Sequence, residues 1–126
     1  MKELELEETG NHEIKEIIGE GKIAVQYCFG QTAIWIPKEY CEKLGATKIL
    51  EGIQEIFTIE ELERFESYAI KKLREGKLAV ECKNYNGYEI EIPSVLKRRE
   101  FGKPPETDPE HKISKLIKLL NDRLKK

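Results

Sequence analysis

The chain has 126 residues, 39% hydrophobic and 37% charged, with a formal net charge of −2, which suits one folded domain with a real core and a dense ionic surface. No apolar run reaches the ~18 residues of a membrane span. Met1-Lys2-Glu3-Leu4-Glu5 lacks a signal-peptide core, so the expectation is a cytoplasmic protein with no membrane partner.

In residues 2–8, Leu4 and Leu6 alternate with Glu, the pattern of a short edge strand. Thr9-Gly10-Asn11 is a turn, and Ile14, Ile17 and Ile18 have the spacing of a short helix that Gly19 and Gly21 end. Then comes Glu20-Gly21-Lys22-Ile23-Ala24-Val25, followed after ten residues by Ile36-Pro37. Ile23, Val25 and Tyr27 share one face of a strand, and Thr32, Ile34 and Ile36 share one face of the next. Pairing Val25 with Ile36 and Tyr27 with Ile34 leaves Gly30-Gln31 as a two-residue type II′ loop. The opposite face carries Ala24, Gln26, Cys28, Ala33 and Trp35, too apolar to be left wet without a reason. Either a helix of the same chain covers it, or it is a contact surface for another chain with Trp35 as anchor.

Pro37 opens a helix through Tyr40, Cys41 and Leu44 that stops at Gly45. Ile49, Leu50, Ile53, Ile56 and Phe57 mark a second helix over 47–57, weakened by Gly52. Thr58-Ile59-Glu60-Glu61 is a capping box, and the helix it starts buries Leu62, Phe65, Ala69 and Leu73 and runs to Gly76.

The earlier strand motif then returns as Glu75-Gly76-Lys77-Leu78-Ala79-Val80, followed after eleven residues by Ile92-Pro93. We read 20–37 and 75–93 as duplicated hairpins that superpose with one extra loop residue in the second. Opposing Val80 to Ile92 and Cys82 to Ile90 leaves a three-residue loop, Tyr85-Asn86-Gly87, with Gly87 in the left-handed position. Pro93 opens a short helix with Val95 and Leu96. A Pro-rich connector, 102–108, follows, and Asp108 caps a final helix whose stripe is Ile113, Leu116, Ile117, Leu120 and Leu124. The expected fold is α+β. Two hairpins form an antiparallel sheet, helices lie mainly on one face, and the domain spans 1–101. The C-terminal helix, 109–126, is an arm that packs on a second subunit or on its own chain.

Residues 31–45, Gln31-Thr32-Ala33-Ile34-Trp35-Ile36-Pro37-Lys38-Glu39 through Leu44-Gly45, are similar to the strand–Ile-Pro–helix segment of AbrB-type swapped-hairpin DNA-binding modules. That family continues with a Gly-Asp turn and a further strand pair. Here the pattern from Ala46 is helical, so the resemblance ends there.

Residues 1–70 hold seven basic and 15 acidic groups, and residues 71–126 hold 15 basic and nine acidic. Either the halves attract each other within the fold, or the second half offers a basic surface to nucleic acid. The candidates for that surface are Lys83, Lys97, Arg98, Arg99 and Lys103, with Lys112, Lys115 and Lys118 and with Tyr85 and Tyr88 as stacking groups. Lys and Glu dominate the charges, as in hyperthermophile proteins.

Catalytic patterns are scarce. His12 and His111 lack evident partners, and Glu89 and Glu91 share a strand face with Glu81 and Lys83, where ion pairing is the simpler reading. Cys28, Cys41 and Cys82 have no CxxC spacing and read as small buried residues, so no metal or cofactor is called for. The expectation is a non-catalytic interaction module that forms a homo-oligomer, a dimer above all. Its oligomer-contact candidates are Trp35, Ile113, Leu116, Ile117, Leu120 and Leu124. The alternative is a nucleic-acid-binding accessory protein, and a small enzyme without a recognisable motif comes third.

Overall fold

The computed structural model describes residues 4–8, 14–28, 31–65, 67–78, 80–82, 84–93 and 112–125. Among them the strands are β1 (Leu6–Glu8), β2 (Ile23–Cys28), β3 (Gln31–Pro37), β4 (Glu81–Cys82) and β5 (Gly87–Pro93). The helices are α1 (Ile14–Gly19), α2 (Lys38–Leu44), α3 (Ala46–Ile56), α4 (Ile59–Arg64), α5 (Tyr68–Arg74) and α6 (Lys112–Leu124). The sheet order is β1-β2-β3-β5-β4. Strands β2, β3, β5 and β4 are antiparallel, and β1 joins β2 in parallel with Leu6 opposite Ile23. The fold is therefore α+β, as the alternation predicts. No helix of the described residues is long and apolar enough to cross a membrane.

Ile23, Val25, Ile34, Ile36, Ile90 and Ile92 face a core completed by Cys41, Leu44, Ile49, Ile53, Leu62, Ile70, Leu73, Ile113, Leu116 and Leu120. This face lies under α2, α3, α5 and α6. On the other face α1 seats Ile17 and Ile18 against Ala24, Ala33 and Trp35. Alternation along one strand thus feeds two cores.

Local chemistry sets the helix ends. Pro37, at φ −53, precedes α2. Gly45 sits at φ 83, ψ 157, conformational space open essentially to glycine, and it serves as both the end of α2 and the start of α3. The Thr58 hydroxyl accepts from the Glu61 N–H at 3.1 Å, and the Thr58 N–H donates to the Glu61 carboxylate at 3.0 Å, completing the expected capping box.

Three expectations need correction. The helix predicted from Thr58 to Gly76 is broken after Arg64. The Ser67 hydroxyl accepts from the Ile70 N–H at 3.1 Å and donates to the Glu91 carbonyl at 2.9 Å, so it starts a new helix and ties it to β5. The first hairpin pairs Val25 with Ile34 and Tyr27 with Thr32 rather than Val25 with Ile36. A slip of two residues keeps every side chain on its face, so alternation cannot separate these registers. In the second hairpin Cys82 opposes Gly87 and Glu81 opposes Tyr88, an odd slip from the expected pairing. Cys82 thereby moves to the Trp35 face, and the positive φ falls on Asn86 at 56°. The two hairpins do not share a register, and the duplication read from the sequence is not confirmed.

Several expected features lie outside the described residues. They are the Thr9-Gly10-Asn11 turn, the helix after Pro93, the 102–108 connector and the Asp108 cap.

Candidate functional site

The Trp35 face is built by α1 and by strands β2, β3, β5 and β4. Trp35 opposes Glu89 across the β3–β5 ladder, and its indole N–H donates to Glu89 Oε2 at 3.2 Å. Cys82 Sγ lies 3.9 Å from the same oxygen. Burial first, and the Glu89 charge second, raise the Cys82 thiol above its ordinary value. Burial pushes the Cys41 thiol up to about 12. Both thiols are therefore protonated at neutral pH and are poor nucleophiles. Trp35 is only 5% exposed within this chain. The choice left open by the sequence is resolved toward the chain's own helix: α1 covers the face, and Trp35 presents no anchor to a partner.

A second polar set gathers where β5 meets α2. The Tyr88 hydroxyl donates to Glu42 Oε1 at 3.4 Å, and Lys38 Nζ reaches Glu81 at 3.5 Å and Glu42 at 3.8 Å. Burial, then the Glu81 and Glu42 charges, raise the Tyr88 phenol. Tyr88 is 7% exposed, so its ring is a core residue and not a stacking surface, contrary to expectation. Odd slippage of β4 has also parted Glu81 from Glu89. Glu81 pairs with Lys38 while Glu89 holds Trp35.

The C-terminal stripe is likewise internal. Ile113, Leu116, Ile117 and Leu120 are buried against α3 and α2, and Leu124 is half-buried beside them. Helix α6 brings its basic groups onto the acidic half of the chain. Lys112 pairs with Glu61 at 2.8 Å, and Arg123 meets Glu55 at 3.1 Å and Glu51 at 3.6 Å. Lys112 Nζ also stands 4.8 Å above the Phe57 ring. These contacts follow the attraction between halves that the charge asymmetry implies. Of the nucleic-acid candidates, Lys83, Lys97, Arg98, Arg99 and Lys103 lie outside the described residues, as do His12 and His111. Tyr85 stands 37% exposed in the β4–β5 turn.

What the sequence reading missed is a groove of about 500 Å³ lined by Gln54 of α3, Phe57 just after it, Ile59, Leu62 and Glu63 of α4, and Arg74 of α5. Phe57 and Leu62 are buried and form its floor, while Ile59 is 76% exposed. The available signal was Ile59 itself, an apolar residue that falls off the Leu62, Phe65, Ala69, Leu73 stripe. The capping box at Thr58 and the Glu61–Lys112 pair fix the backbone that carries it. No protein-family model, curated protein or solved structure matches this chain.

Proposed function

We propose that the protein is a non-catalytic interaction module that works as a homo-oligomer, with a two-fold dimer as its form. One observation carries the reading: Ile59 stands 76% exposed beside the apolar floor of the α3–α4–α5 groove. A lone exposed isoleucine is ordinary. One held on a capped helix at the lip of an apolar concavity is the kind of anchor that partner surfaces bury. Trp35 and the α6 stripe play no part in this contact, because the chain buries them itself. Light scattering over a dilution series tests the reading. A molar mass that climbs toward twice that of the chain supports it, and a constant monomer mass rejects it.

A second reading, nucleic-acid binding by Lys83, Lys97, Arg98, Arg99 and Lys103 with Tyr85 as a stacking group, is favoured by the exposed Tyr85 ring. Fluorescence anisotropy with single-stranded DNA and RNA tests it. Log K that falls linearly with log salt, and that drops when Lys97, Arg98 and Arg99 become Ala, supports binding. No binding at ~50 mM salt and high micromolar protein rejects it.

A further inference from the structure

We draw no further inference here: the strongest candidate, the apolar groove between α3, α4 and α5 with Ile59 at its lip, carries nothing beyond the reading above, because nothing in the structure shows what covers it.

Discussion

Asn121 holds the backbone of Leu4 by both of its polar groups. The Leu4 N–H donates to Asn121 Oδ1 at 2.7 Å, and Asn121 Nδ2 donates to the Leu4 carbonyl at 3.0 Å. A carboxamide offers the same donor and acceptor as a peptide unit, so Asn121 acts as a one-residue strand partner beside β1. It satisfies backbone groups at the edge of the sheet and ties α6 to them. Asn121→Leu should leave both Leu4 groups unsatisfied and cost about 2 kcal/mol or more. Chemical denaturation measures this. A variant within a few tenths of a kcal/mol of the native chain would show that water replaces the contact.

Helix α6 is part of the core rather than a free arm. Truncation after Thr107 would remove Ile113, Leu116, Ile117 and Leu120, all buried against neighbours in the same chain. The shortened protein should therefore aggregate or melt at a far lower temperature. Leu120→Ala alone should cost about 2–5 kcal/mol. Recovery of the truncated chain as a soluble monomer with unchanged melting would contradict the packing.

Two glycines separate steric need from local preference. A Cβ on Gly87 would lie 2.8 Å from the Ile36 carbonyl oxygen, so Gly87→Ala must push β5 from β3. The expected loss is about 1–3 kcal/mol. A Cβ on Gly52 would meet Leu120 Cδ2 at 3.4 Å and Leu116 Cδ1 at 3.5 Å, an ordinary contact within a helix. Gly52→Ala should therefore be neutral or stabilise by up to about 1 kcal/mol, as helix propensity favours alanine. Parallel thermal melts decide the pair, and equal losses at both sites would contradict this assignment.

Acid should release one link between α4 and α6. The hydrogen bond from Lys112, then that from the Thr58 backbone, hold Glu61 below its ordinary value of 4.5. A carboxyl whose folded value is depressed adds stability that is present above its unfolded value and lost as pH falls through the folded one. Stability from this site should be constant at neutral pH and should fall as pH drops below 4.5. Glu61→Gln should flatten that part of the stability profile while leaving the rest. A variant whose acid profile matches the native one would place the sensitivity elsewhere.

How far the sequence could be read depended on whether the deciding force was local. The Thr58 capping box, the Pro37 junction, the Gly45 corner and the stripes of α3 and α6 are written in neighbouring residues, and each took the expected form. The hairpin registers were not local. Val25 keeps its face whether it meets Ile34 or Ile36, so strand alternation left that choice undetermined. Gly87 looked like a turn residue, yet it is needed where β5 passes the Ile36 carbonyl, and Asn86 takes the left-handed turn conformation instead. Ser67 broke a helix that periodicity carried straight through, because its hydroxyl finds the Glu91 carbonyl 24 residues away. The groove escaped notice for a related reason. Its walls come from three helices, and Ile59 is visible as a surface residue only once the Leu62 stripe is known to face inward.

The proposed self-association through Ile59 is tested most directly by the solution mass of the full chain beside that of Ile59→Asp. Ile59 is exposed, so the substitution should leave the fold and its melting temperature intact. Burying an unpaired carboxylate in the contact is costly, so the same change should abolish pairing. The native chain should approach twice 14.7 kDa as concentration rises, while Ile59→Asp should remain at 14.7 kDa. A native chain at 14.7 kDa at every concentration, or an Ile59→Asp variant that dimerises as the native chain does, would contradict the proposal.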